Sequence, residues 1–542
     1  MFDRTIWSLN NPDSIIIRIL LYIFLLLGFY LRFTAANHSY ISQWDEAYHA
    51  VVAKNMLSNP LKPVLYKNPI FEYNYKDWSH NHIWLHKPPV TLWLMALSIY
   101  IAGDEEIIFR MPSVILSTLS IFITFYFGRQ FVGTIPALIA SFFQSINPLY
   151  IRLVSGTIPT DHVDVVFSFF VQITFFSFVA AGRKNSRFLF YLSGILLGLG
   201  YLTKSLPIFV SFAATIPILW NGRQFIKPMI KNLLYSLLGF ILIAMPWQLY
   251  TKMMWPAEYN HERDYNLIHI FEALEGHSHD MTLYWDLIKD HFGSSVNIYT
   301  TYALIFGSLL YVTVTLTLKS KLKKEISISD HINRKKQLIA LSLWALIPYT
   351  VFSLTATKMY SYVAPSVPAI LLLVGYTIYS LAILWREPEI YKKFISIGCL
   401  IITLQFSVSN LMNRLNATYS TPPWRFKYDH IDFRNKMKAI DRLPGKKIIL
   451  NVGDSRSIDC MYYANCAAYA SLISYDRLIN IINQGYDVYM FIDSREDRLE
   501  KIRNLFSIND GELKNKIKLI PIKTSKFLLE GIPKGKKYPY QQ

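Results

Sequence analysis

Six polar clusters interrupt an otherwise apolar chain, and their residue types suit acid–base chemistry beside a phosphate. The first is Trp44-Asp45-Glu46-Ala47-Tyr48-His49, in which Asp45 has the chemistry of a general base and Glu46 stands beside it to orient or coordinate. The plainer account of Asp45 is structural: Ser42 and Asp45 have the spacing of a capping box at a helix start. The second cluster is His86-Lys87-Pro88-Pro89. Proline restricts the backbone on both sides of itself, and a lysine held at a membrane surface either binds a phosphate head group as a point charge or snorkels.

Asp161-His162-Val163-Asp164 opens an apolar run, where a carboxylate is costly unless paired, solvated or used as a cap. Lys204 lies in a tight turn between two apolar runs. Glu275-Gly276-His277-Ser278-His279 contains a His-x-His that either ligates a divalent metal, with His86 and Asp45 as further candidate ligands, or is structural. No His-Glu-x-x-His zinc spacing accompanies it. Residues 352–368 carry Lys358 at a turn, and Pro365 and Pro368 are expected to kink the helix that follows.

The elements that must position these residues are membrane helices. Of 542 residues 52% are hydrophobic and 17% charged, where soluble chains carry about 25% charged residues. The apolar residues come in blocks long enough to cross a ~30 Å hydrocarbon core. Eleven spans are expected: 15–31, 111–128, 133–151, 163–181, 187–203, 205–220, 233–250, 296–318, 337–355, 360–384 and 392–412. The net charge of +18 sits in short loops between them, which argues for positive-inside orientation and against nucleic acid. The block Val90–Ala102 is short and bounded by Pro88–Pro89 and Gly103, so it is expected to be re-entrant or interfacial within a long outer loop, residues 32–110. With that topology all six clusters fall on the outer side.

Residues 413–542 alternate short apolar runs with charged helix-like stretches, which predicts a small α/β domain, placed outside by the odd number of spans. The expected organisation is a transmembrane domain over 1–412 and an extracytoplasmic domain over 413–542. The three cysteines make no disulfide framework, although Cys460 and Cys466 could pair in an oxidising compartment. The first apolar block lacks a convincing cleavage site and is expected to remain as a span.

Asp45-Glu46-Ala-Tyr, Lys87-Pro-Pro, Phe109-Arg110-Met-Pro-Ser, Leu202-Thr203-Lys204, Glu275-Gly276-His277 and Ser353…Lys358…Tyr362…Pro365…Pro368 occur in an order that resembles the GT-C membrane glycosyltransferases. The branch they resemble is that of the protein mannosyltransferases and aminoarabinose (lipid A) transferases, glycosyltransferase family 39 in the broad sense. The resemblance covers roughly residues 15–385. It implies an α-helical polytopic fold, a polyprenyl-phosphate sugar donor and an outer-face active site in the cell membrane. By position it makes Asp45 the catalytic aspartate, Lys87 the lysine at the lipid phosphate, and Asp164 or Asp161 the second acidic residue. Lys204, Lys358 and Tyr362 become substrate contacts, and His277 a metal-associated histidine. His86 stands where the aminoarabinose transferases resemble glutamate, which separates this chain from their metal site and acceptor.

The expected reaction is direct displacement at the anomeric carbon, with a protein, lipid or glycan acceptor and no nucleotide cofactor, since no Gly-rich phosphate loop is present. Two other classes stay open. A transporter or flippase would favour midplane charges and inverted repeats. An envelope protein could bind the glycolipid without reacting it.

Overall fold

The computed structural model describes residues 12–42, 45–77, 80–158, 161–219, 226–274, 276–292, 328–384, 430–452, 456–471, 473–492 and 516–521. The expected spans 296–318 and 392–412 lie outside them, as do Glu275 and Cys399. In chain order the helices are α1 (Pro12–Ala36), α2 (Asp45–Asn55), α3 (Pro89–Ala102), α4 (Glu106–Val132), α5 (Thr134–Ser145), α6 (Pro148–Val154), α7 (Asp161–Lys184) and α8 (Arg187–Lys204). They continue with α9 (Phe209–Ala213), α10 (Ile216–Leu219), α11 (Ile226–Met254), α12 (Pro256–Ile268), α13 (Leu283–Phe292), α14 (Ile328–Leu354) and α15 (Val367–Leu384). The C-terminal part runs α16 (His430–Asp441), β1 (Lys446–Leu450), α17 (Arg456–Ala464), β2 (Ala467–Ala468), α18 (Tyr475–Asn483), β3 (Tyr486–Ile492) and β4 (Ile517–Pro521).

Two compact units result. The first comprises Met1–Ala36, Arg110–Pro256 and Arg263–Tyr419, and the second Asn37–Phe109, Ala257–Glu262 and Ser420–Gln542. This cut differs from the expected division at 412: the long loop after α1 groups with the C-terminal segment.

The first unit is a helical membrane body. Among the described residues, five helices have the length and apolarity of a span, and the pair α5–α6, bent by 44°, adds a sixth if read as one. Their polar side chains satisfy one another. Gln144 donates to Ser120 at 2.8 Å and Gln172 donates to Thr124 at 2.7 Å, while Arg32 donates to the Ser145 and Gln144 carbonyls at 2.7 and 2.8 Å. Without water in the hydrocarbon core, these groups need such partners.

The expected span 205–220 is instead three short pieces, Leu206–Ile208, α9 and α10. Ser205 sits at φ 60°, in the left-handed region, and Pro207 and Pro217 follow, so a continuous ladder cannot form. Pro365 and Pro368 do not kink the following helix. They lie in the 3-10 turn Ala364–Ser366 and in the first turn of α15, where a missing N–H costs no helical bond.

The second unit has one core built from both ends of the sequence. Tyr48, Val52, Met56, Trp84, Leu92 and Met95 from the first loop share it with Phe433, Ile448, Leu450, Met461, Val488 and Met490 from the C-terminal segment. The sheet is parallel, in the order β2-β1-β3-β4, with Ile448 opposite both Ala467 and Val488. α3 has 14 residues, a rise of about 21 Å, short of the ~30 Å core. Its Leu92, Met95 and Ile99 enter this soluble-type core, whereas Leu97, Tyr100 and Ile101 face outward. Cys460 and Cys466 are free thiols, not a disulfide.

Candidate functional site

The candidate residues form one constellation in each unit. In the second unit, Asp45 and Glu46 open α2 and divide the labour. The side chain of Glu46 is almost fully buried and accepts the Ser42 backbone N–H at 2.5 Å. Asp45 keeps partial exposure.

Lys87 is held by its sequence context. Pro88 is extended and Pro89 occupies the first turn of α3, so Lys87 leads directly into the helix start. Its Nζ lies 3.2 Å from His86 Nε2, and His86 Nδ1 lies 3.2 Å from a carboxylate oxygen of Glu262. An ammonium has only donors, so Lys87 donates to Nε2, and the ring proton on Nδ1 is donated to Glu262. Burial pushes the Glu262 carboxyl up, but His86, His261 and Lys87 outweigh burial and hold it below the usual carboxylate range. Glu262 thus stays anionic and orients the pair. Sequence reading missed it, because it lies 176 residues from His86 in a charged helix with no motif of its own.

This arrangement does not fit His86 as a metal ligand, since both ring nitrogens already face hydrogen-bond partners. Among the described residues no group of three or more His, Cys, Asp or Glu is arranged to hold a metal.

In the first unit the constellation centres on Asp164, in the first turn of α7. One oxygen of its buried carboxylate accepts from Lys204, the last residue of α8, and the other accepts from Ser361. Lys204 also stands 4.3 Å from the centroid of the Tyr362 ring, which packs against Phe352 at 4.9 Å. Between α14 and α15, Tyr360-Ser361-Tyr362 therefore meets three helices: Arg152 of α6 donates to the Tyr360 hydroxyl at 3.0 Å, beside the Asp164 and Lys204 contacts. Neither Ser361 nor Arg152 was expected from sequence.

Asp161, at φ 25°, accepts the His162 N–H with its own side chain. The acid that meets Lys204 is Asp164. Lys358 turns its Nζ to the Thr355 carbonyl at 2.6 Å. Its backbone N–H donates to the His277 carbonyl at 3.1 Å, and Thr357 donates to the Glu272 carbonyl at 2.9 Å, so the His277 loop is strapped to the Lys358 turn. Burial, with His277 and Lys358 nearby, lowers His279 below the ordinary histidine value.

Residues 86–249 match the family model described as dolichyl-phosphate-mannose-protein mannosyltransferase. The undecaprenyl phosphate-alpha-4-amino-4-deoxy-L-arabinose arabinosyl transferase of Pseudomonas aeruginosa (strain UCBPP-PA14) is 23% identical over 315 residues, 56% of this chain and 52% of that protein. The enzyme of the same name from Edwardsiella ictaluri is 23% identical over 350 residues, 62% of this chain and 55% of that protein. The chain thus spans about half the length of the curated relatives it matches. The crystal structure of ArnT from Cupriavidus metallidurans bound to undecaprenyl phosphate superposes with a TM-score of 0.55 at 11% identity, covering 92% of this chain and 89% of that one. The apo oligosaccharyltransferase of Archaeoglobus fulgidus gives 0.54 at 12% identity, covering 84% and 64%. Fold, ordered motifs and relatives agree: the chain has the fold of a multi-pass helical membrane protein like that of ArnT, and it is similar to the protein mannosyltransferases and the arabinosyl transferases.

Proposed function

We propose that the protein transfers a sugar from a polyprenyl-phosphate donor to an acceptor hydroxyl or phosphate at the outer face of the cell membrane, with Asp45 as general base. The observation that carries this is the division of labour in α2. Glu46 is buried and accepts the Ser42 N–H, while Asp45 opens the helix partly exposed. In the step proposed, the Asp45 carboxylate takes the proton of an acceptor hydroxyl. The acceptor oxygen bonds the anomeric carbon, and the carbon–oxygen bond to the phosphate breaks with its electron pair on the phosphate. Lys87 neutralises that leaving group, as a positioned cation does for developing charge.

For the first unit we propose, separately, that Lys204, Lys358 and Tyr362 contact substrate and that Asp164 is the second acidic residue, setting Lys204 by their ion pair. The C-terminal segment faces the extracytoplasmic side in this reading. The shortness of α3 supports it, because a block that does not span leaves the basic loops cytoplasmic. Purified protein with labelled polyprenyl-phosphate sugar and candidate acceptors tests the proposal. Transfer supports it, whereas translocation without transfer, or binding without either, replaces it with a transporter or a glycolipid-binding protein. Cysteine labelling from outside at the exposed positions Asn68→Cys and Leu206→Cys tests the topology, and labelling of only one of them overturns it.

A further inference from the structure

Helix α2 is an unusual platform for a catalytic acid. Its sequence, DEAYHAVVAKN, has no apolar stripe, yet every residue from Glu46 to Ala53 is buried, as is Asn55. A helix of 11 residues is marginal by itself, so its neighbours must hold it from several sides. α3 closes one side through Leu92 and Met95. Another side is closed by α17, more than 400 residues later in the chain, and Lys54 makes the join. Its Nζ donates to the Tyr462 carbonyl at 2.7 Å and to Asp104 at 2.6 Å, and lies 4.8 Å from the centroid of the Tyr462 ring.

The same seam continues beyond α2. The Tyr462 hydroxyl donates to the Asp104 carbonyl at 2.8 Å, and the Tyr463 hydroxyl donates to Glu106 at 2.7 Å. Arg434 of α16 pairs with Glu106 at 2.6 Å, and Lys438 with Glu105 at 2.8 Å. Four residues before Tyr463, Asp459 is wholly buried, and its titration is influenced by the Glu46 carboxylate as well as by Arg456.

We propose that the C-terminal α/β segment is a built-in part of the transferase site, and that Lys54, clamped by the Tyr462 carbonyl and Asp104, is the positioning residue that fixes the helix carrying Asp45. Lys54 sits nine residues from Asp45, about 14 Å along the helix axis, so it acts through the helix and not on substrate. Pinned at Lys54 and capped by Glu46 at Ser42, α2 has both ends fixed. The inference rests on the reading of Asp45 as base, and gives the C-terminal segment its function within that reading.

The test uses full-length protein carrying Lys54→Met, Lys54→Arg or Asp104→Asn, with two readouts: transfer kinetics, and hydrogen exchange of the 45–55 amides. A misplaced catalytic group commonly costs about 100-fold. Lys54→Met is therefore expected to lower kcat by about 10- to 100-fold while donor KM stays within about threefold, with faster exchange across 45–55. Lys54→Arg is expected to recover most of kcat, since a guanidinium can reach the same carbonyl and carboxylate. Should Lys54→Met fail to fold, Asp104→Asn, which keeps the carbonyl contact, is expected to show the same kcat-selective loss in weaker form. Unchanged kcat together with unchanged exchange in Lys54→Met overturns the proposal. So does a loss that Arg does not rescue and that raises donor KM equally. Wild-type turnover in Asp45→Asn, with exchange still accelerated by Lys54→Met, removes the catalytic reading and leaves the clamp intact, so the two failures are told apart.

Discussion

The two units solve the same problem, holding charged side chains in place, by opposite means. In the first unit the five long helices come from continuous apolar runs, and several of their polar residues are satisfied between helices near in sequence. Ser120 and Thr124 on α4 meet Gln144 on α5 and Gln172 on α7. In the second unit the core is assembled at long range. The first outer loop and the C-terminal segment share one core, and ion pairs such as Arg434 with Glu106 join residues more than 300 positions apart. Membrane helices bury their own backbone bonds and can be defined by run length, whereas α2 becomes stable only when distant elements enclose it.

The largest effect expected is on chemistry in the second unit. Asp45→Asn keeps a side-chain oxygen but loses the base, and transfer should fall by about 10²–10⁴-fold with normal melting and retained donor binding. Steady-state assays beside a thermal scan check this. Wild-type turnover would move the role to Glu46 or Asp164.

The next effect separates the units by stability. Lys204→Met leaves the buried Asp164 carboxylate without its lysine, and loss of one partner of a buried pair costs on the order of 3–5 kcal/mol. Denaturation followed by probes in each unit should show the loss in the first unit. Equal loss in both would break the division drawn here.

Lys87→Ala is expected to weaken donor binding by about 1.5–3 kcal/mol, the usual worth of a hydrogen bond to a charged group, with little change in stability. Unchanged donor affinity would reduce Lys87 to an interfacial anchor.

The smallest effect concerns pH. Burial first, with Glu46 adding, pushes the Asp459 carboxyl up to about 6, although Arg456 pulls it down. A raised carboxylate pKa means the native state binds the proton more tightly than the unfolded chain. Asp459 should therefore add stability as pH falls from about 6 toward about 4, the ordinary aspartate value. Glu262 and Asp104, whose pKa values are lowered, act in the opposite sense on further acidification. The comparison of wild type with Asp459→Asn isolates the term: the variant should lose the gain between about pH 4 and 6. Identical slopes would place Asp459 outside any titration in that window.

Much of the candidate site was legible, and the reason differs by residue. Lys87 announces itself because two prolines fix the backbone beside it, and Asp164 and Lys204 because charges at the ends of apolar runs need partners. Ser361, Arg152 and Glu262 gave no such signal, since a serine in a turn or a glutamate in a charged helix is ordinary until something distant meets it. The capping account of Asp45 rested on spacing alone and did not single out Glu46, the carboxylate that accepts the Ser42 N–H.

The sequence by itself determined the membrane character, the helical runs of the first unit and the order of motifs that resembles the GT-C glycosyltransferases. Those follow from run length, proline position and local residue chemistry, all readable within a few turns of chain. Only the tertiary structure decided that the first outer loop and the C-terminal segment share one core, that residues 205–220 break, and that Lys54 meets Tyr462. Contacts between residues hundreds of positions apart leave no local pattern, since each partner needs only a compatible surface and the fold alone brings the surfaces together.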